Sequence, residues 1–366
     1  MFNAIIPDEL LNPTGVYNER LSQSALYAYM RDKVTDAEAE QILTELQRRG
    51  MKFNWGTNEE TELTKNQTLS QIKMYIAAKR IAFEFKCAVI GIQYQQGLKD
   101  LVPASDLAEG LLNDLENAPE VRSADRSVVM PDIPHFNEVD ECAGLDGLGT
   151  EQLWRVLDRK LAEGCSVWQP QNTLHDLRMG WQFDGEGEGC FDPITCRKSV
   201  QDYVWEFLIS GAVPPTHFAQ DYADASSERQ PPMYFRLGGG TIKGISKPGF
   251  GVWSRVWIDG HKNGTRVDQR LCADVGTFKV VGLPMAETER RWKESTPQWP
   301  IMHAVLLGLG EGEVARNRMM ARHKSNHIQV VYAPSLEMAR KAARIKAAML
   351  AEMGLEVSVC GDVGLN

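Results

Sequence analysis

The sequence predicts an α/β protein in two parts: a parallel-sheet α/β domain over residues 1–165 and a β-rich, barrel-like domain over residues 166–366. Three observations lead there. As far as Cys165, runs at helical spacing alternate with short apolar runs, the order that builds a parallel sheet with crossover helices. Beyond Cys165 the apolar runs are short and separated by Gly and Pro, the texture of a mainly β domain. The chain has 366 residues, enough for about two or three domains.

The stretch TKNQTLSQIKMYIAAKRIAFEFK opens on Thr64 and Gln67 at capping-box spacing. Leu69, Ile72, Ile76 and Phe83 then recur at helical spacing. CAVIGIQ, Cys87 to Gln93, follows as a continuous apolar run and reads as a buried parallel strand. Pro103 precedes a helix from about Ser105 to Leu115. PHFNEVDE reads as a second strand end. The next helix is expected from Thr150 to Leu161, with Leu153, Leu157 and Leu161 on one face and Gly164 as its stop. This is a doubly wound, Rossmann-like half-sheet, in which chemistry gathers at the carboxyl ends of the strands. Gln93 and Gln95 fall at one such end, and Glu138 and Asp140 at the other.

In the second part, YVWEFLISGA, MYFRLGGGTIKG, GVWSRVWIDG and TFKVVGLP are the expected short strands, with HIQVVYA after them. A helix from Ser335 to Met353 buries Met338, Ala342, Ile345, Met349 and Met353, and LEVSVCG follows as a strand. The helix's basic residues, Arg340, Lys341, Arg344 and Lys346, read as its solvated side.

The formal net charge of −9 argues against nucleic acid or an anionic lipid surface as partner. No apolar run approaches the ~20 residues of a membrane span. MFNAIIPDELLNPTG lacks the basic and long apolar segments of a secretory signal. Seven dispersed cysteines without a CxxC pair suit a reducing compartment, so a cytoplasmic location is expected. LGGGTIKG lacks the GK[ST] ending of a phosphate loop and reads as a turn or bulge. GLGEGE carries two acids where a dinucleotide fingerprint needs a clean approach. HKSNH has the histidine spacing of a zinc protease but Lys324 in place of its glutamate. No GxSxG elbow is present.

Three features carry chemistry. Glu138 and Asp140, two residues apart, share one face if they lie on a strand; a surface pair is the plainer alternative. Asp176 stands in the strand-like TLHDLRM beside Arg178, where the alternative is a surface ion pair. A histidine precedes the apolar run in SNHIQVVYA, where a structural role is the plainer one. Two carboxylates and an imidazole, completed by water and substrate oxygens, suit an octahedral divalent cation such as Mn²⁺. An all-oxygen site would favour Mg²⁺ or Ca²⁺, and a cysteine-rich one zinc.

Six segments, in order, resemble those of the L-fucose isomerase and L-arabinose isomerase superfamily, most like the fucose isomerase branch. GIQYQQGLKD is similar to a GFQGQ-type strand end, NEVDECAG to ENDSLNG, LHDLR to FADVR, YFRLGGG to YFRGGG, STPQWPIMH to TNPTWP, and SNHIQVVYA to ANHGAISYG. The resemblance spans nearly the whole chain. It implies Glu138, Asp176 and His327 (not His323) as metal ligands and Trp299 as a substrate-pocket aromatic. It also implies an aldose–ketose isomerase using Mn²⁺ or another divalent cation such as Mg²⁺ or Co²⁺, acting on a free sugar and assembled as a homo-oligomer. Glu138 and Asp176 are then the acid–base pair. Gln93, Gln95, Arg178, Tyr234 and Asn326 are candidates for hydroxyl recognition. Asp140 is expected to orient a ligand or a bound water, and Glu141 to be ordinary structural charge. Two departures stand out. The family's N-terminal domain has no counterpart in this chain, and residues 182–200 follow no family pattern. A non-catalytic sugar-binding or regulatory relative is therefore the alternative. A metal-dependent aldolase acting on sugar phosphates would need a phosphate cradle, which the sequence does not offer.

Overall fold

The computed structural model describes residues 5–115, 117–137, 140–162, 175–179, 205–208, 213–232, 235–282, 285–286, 289, 300–309 and 327–364, with only the backbone of 137, 158–162, 175–179, 205–208 and 261. Its helices are α1 (Asp8–Leu11), α2 (Gln23–Lys33), α3 (Asp36–Arg48), α4 (Lys65–Glu84), α5 (Asp106–Asn113), α6 (Glu141–Ala162) and α7 (Leu336–Glu352). Its strands are β1 (Lys52–Phe53), β2 (Ile90–Ile92), β3 (His135–Asn137), β4 (His175–Met179), β5 (Trp205–Leu208), β6 (Ser226–Ser227), β7 (Gly249–Asn263), β8 (Arg266–Val280), β9 (Ile301–Leu306), β10 (His327–Ala333) and β11 (Glu356–Cys360). The fold is mixed α/β, with parallel and antiparallel sheets.

The capping box at Thr64 forms: Gln67 N–H donates to Thr64 Oγ1, and Thr64 N–H to Gln67 Oε1. Helix α4 follows, with Ile72, Tyr75 and Ile76 buried under α2, α3 and α5. Its Gln71 side chain reaches out of the helix to both N–H and C=O of Gly240. Gly238 and Gly239 take φ of +72° and +98° there, conformations that favour glycine. LGGGTIKG is therefore a braced turn carrying isolated bridges, not the strand predicted for MYFRLGGGTIKG.

Strands β2 and β3 pair in parallel and end together at Ile92 and Asn137. The large sheet runs β11-β8-β7-β10-β4-β5-β9, and β8 also pairs with β9 through Phe278, Lys279 and Val280. Strands β7 and β8 form a long hairpin turning at Gly264, whose φ is +61°. The sequence located only the end of β8, because its first five residues are exposed and polar in pattern. Strand β10 is buried along its whole length. Ile328, Val330 and Tyr332 face the core shared with α4 and α5, while Val331 and Ala333 face the core under α6 and α7. Burial on both faces is why HIQVVYA reads as one apolar run.

Two expectations about helices are corrected. Helix α6 begins at Glu141, well before Thr150. Its glycines are packing positions and not breakers: a Cβ on Gly144 would come within 2.9 Å of the Phe136 ring, and one on Gly149 within 3.2 Å of Met349. Lys346 of α7 is not solvated; it is wholly buried against α6 and β7. Among the described residues, no helix is long and apolar enough to cross a membrane.

Candidate functional site

The site assembles where β10 starts, under the first turn of α6. His327 is 1 % exposed, and its Nδ1 lies 2.7 Å from Asp140 Oδ2. Asp140 is itself buried and caps α6: its Oδ1 accepts from the backbone N–H of Cys142 (3.1 Å) and Ala143 (3.2 Å). One carboxylate thus fixes both a helix start and an imidazole. With Nδ1–H donating to the carboxylate, Nε2 carries the ring's lone pair, the form in which histidine ligates a divalent ion. The expectation that Asp140 shares a strand face with Glu138 is corrected, since Asp140 belongs to the helix cap.

The neighbouring strand brings in the predicted aspartate. In the antiparallel pairing of β4 with β10, Arg178 stands opposite His327 and Asp176 opposite Gln329. Asp176 and His327 are therefore diagonal neighbours across two adjacent strands.

From the other side comes His135 of β3, which the sequence reading missed. Ile92 N–H donates to its Nε2 at 3.1 Å, so the ring proton sits on Nδ1. Burial pushes its pKa down to about 3. It is a neutral imidazole. The only sequence signal for it was a histidine at the start of a strand that ends among acids.

Gln93 follows Ile92 directly, at the paired end of β2. Its Oε1 accepts from Gln95 N–H at 3.2 Å, and its carbonyl accepts from Gln23 of α2. Gln95 is half-buried in the same turn. Glu138, Tyr234, Trp299 and Asn326 lie outside the described residues, as do His323 and residues 182–200. The structure thus brings Asp176, Arg178 and His327 together at the level of strand register. Among the described residues, no group of three or more His, Cys, Asp or Glu is gathered around a metal position.

Glu141, expected to be ordinary charge, is 6 % exposed. It accepts from the backbone N–H of Ile6 at 2.7 Å and from Arg20 at 3.0 and 3.2 Å. It ties the N-terminal segment to the start of α6.

Further along α6, Asp146 pairs with Lys346 at 2.6 Å, both side chains at most 1 % exposed. Ser254 Oγ of β7 donates to the carboxylate, at 2.9 and 2.8 Å from its two oxygens. The Lys346 ammonium donates to the hydroxyls of Ser254 and Thr150. Burial pushes the Asp146 carboxyl up and the Lys346 ammonium down, and the attraction between them opposes both shifts. The hydroxyls satisfy the charges that burial would otherwise strand. This cluster locks α6 to α7 and to the sheet, and so fixes the height of Asp140 over His327.

Among the described side chains, the contact at this place is that of the buried Asp140 carboxylate with the His327 ring. By sequence comparison, no protein-family model matches the chain, and no curated protein matches it.

Proposed function

We propose that the chain is a metal-dependent aldose–ketose isomerase acting on a free sugar. The observation that carries this reading is the buried 2.7 Å contact between Asp140 and the His327 ring, next to the strand that bears Asp176. Glu138, Asp176 and His327 would hold the ion, Mn²⁺ or a similar one such as Mg²⁺ or Co²⁺. When bound, the ion supplies Lewis acidity at the sugar's carbonyl and adjacent hydroxyl oxygens.

The chain's own groups do the rest. One of Glu138 and Asp176 takes the proton from C2 and a proton is returned to C1, while the O2 hydroxyl gives up its proton and O1 gains one, leaving a ketose. Asp140 holds the His327 ring in the tautomer with Nε2 unprotonated. Trp299 offers an apolar face to the sugar's C–H side. Gln93, Gln95, Arg178, Tyr234 and Asn326 bind hydroxyls. The parallel β2–β3 pair with its helices supports a Rossmann-like first part, and the second pairing of β8, with β9, supports a barrel-like second part. A homo-oligomer in the cytoplasm completes the proposal.

The test is conversion of a panel of free aldoses with Mn²⁺. Glu138→Gln should abolish metal-dependent conversion and leave the unfolding midpoint unchanged; normal turnover in that variant would sink the mechanism. Sugar binding by the wild type without turnover would favour the non-catalytic relative instead.

A further inference from the structure

Strand β10 carries a buried polar side chain that the reading above does not use. Gln329 is 1 % exposed, yet neither its Oε1 nor its Nε2 meets a hydrogen-bond partner among the described residues. An amide buried in this way destabilises a fold, and native proteins keep such groups where something other than stability requires them. A methionine would fill the same volume at no such cost.

Its position says what requires it. Gln329 is two residues from His327 and shares its face of the sheet. Across the strands it stands opposite Asp176 on one side and Ser254 on the other. Two flanking polar groups of this face are engaged at the start of α6 and along it: His327 with Asp140, Ser254 with Asp146. Gln329 stands in the row between them, in register with the predicted ligand Asp176.

We infer that Gln329 is a substrate-positioning residue, its amide binding a hydroxyl of a polyhydroxylated ligand held beside Asp176 and His327. An amide offers both a donor and an acceptor, as a sugar hydroxyl does. Being neutral, it neither competes for the ion nor repels the carboxylates. The inference rests on the isomerase reading and adds a specificity contact to it.

The experiment compares wild type with Gln329→Met and Gln329→Leu, full chain, in Mn²⁺. Unfolding midpoints are measured alone and with pentoses, 6-deoxyhexoses and their alditols, and KM and kcat are measured for any aldose converted. The expected result is a split. Without sugar, the Met variant unfolds at the wild-type temperature or above. Its KM rises about tenfold, the worth of one neutral hydrogen bond, its kcat changes much less, and the alditol-induced shift of the midpoint is lost. A structural amide predicts the reverse: a lower midpoint and an unchanged KM. That result, or failure of both variants to fold, overturns the inference alone. A wild type that neither converts nor is stabilised by any of these sugars overturns the isomerase reading and this inference together.

Discussion

Asp140→Asn separates what Asp140 does for the fold from what it does for His327. Among the described residues the carboxylate has two tasks: Oδ1 accepts from two α6 N–H groups, and Oδ2 accepts from His327 Nδ1 at 2.7 Å. Asparagine has one oxygen for both. Its oxygen keeps the cap, where Asn and Asp are equally good, and its NH₂ then points at Nδ1. The ring answers by turning Nδ1 into an acceptor, which moves its proton to Nε2. The cap and one hydrogen bond survive, so the stability loss should stay under about 1 kcal/mol. The histidine, however, is left in the tautomer that cannot ligate, and Mn²⁺ affinity should fall about 10–100-fold. Asp140→Ala behaves differently. It loses the cap, about 1 kcal/mol, and strands a buried ring N–H, a further 1–3 kcal/mol or so, and therefore unfolds about 2–4 kcal/mol more easily. Urea unfolding midpoints at constant m-value give the first quantity, Mn²⁺ titration the second, and imidazole ¹⁵N shifts the tautomer. An Asn variant that binds Mn²⁺ within a factor of about three of wild type would refute the tautomer argument, whatever its stability.

Three other outcomes are expected. Lys346→Met leaves the Asp146 carboxylate buried with only Ser254 to answer it, at a cost of about 3–5 kcal/mol in urea unfolding, while Lys346→Met with Asp146→Leu recovers most of that; a single variant within 1 kcal/mol or so of wild type would mean the pair is not a buried lock. Asp114 is buried, accepting from Tyr222 OH at 2.6 Å and Thr216 Oγ1 at 3.0 Å, and burial pushes its pKa up to about 7. The folded state therefore keeps a proton that the unfolded state releases near pH 4, so the group's contribution is full at acid pH and is lost as pH rises through about 7. Asp114→Asn should remove that fall, up to about 4 kcal/mol, and be more stable than wild type at pH 8; parallel stability–pH curves for the two would refute the assignment. Mn²⁺ affinity should drop far more with His327→Ala than with His323→Ala, and isothermal titration giving the reverse order would make His323 the ligand.

The sequence made its best showing where one pattern had one physical cause. The Thr64–Gln67 box needed only local geometry, and it formed. HIQVVYA needed only burial on both faces, and β10 has it. The start of α6 was not legible, because its cap is one of three crowded acids and its glycines look like breakers until Phe136 and Met349 are seen against them. Lys346 and Gln329 failed for a different reason. Lys346 lies four residues beyond Ala342 and three before Met349, the positions that defined the buried face of α7, so helical spacing put it inside. Its charge points the other way, to the surface. Gln329 lies two residues from Val331 on the face under α6 and α7, and strand spacing put it inside in the same way. A polar residue at a position the period assigns to the core is thus the sequence signal for the groups that matter most here. It marks where to look, but only tertiary structure separates its two meanings. Lys346 has Asp146, Ser254 and Thr150 and is part of the scaffold. Gln329 has no hydrogen-bond partner among the described residues, and that difference argues for a ligand at one and a lock at the other.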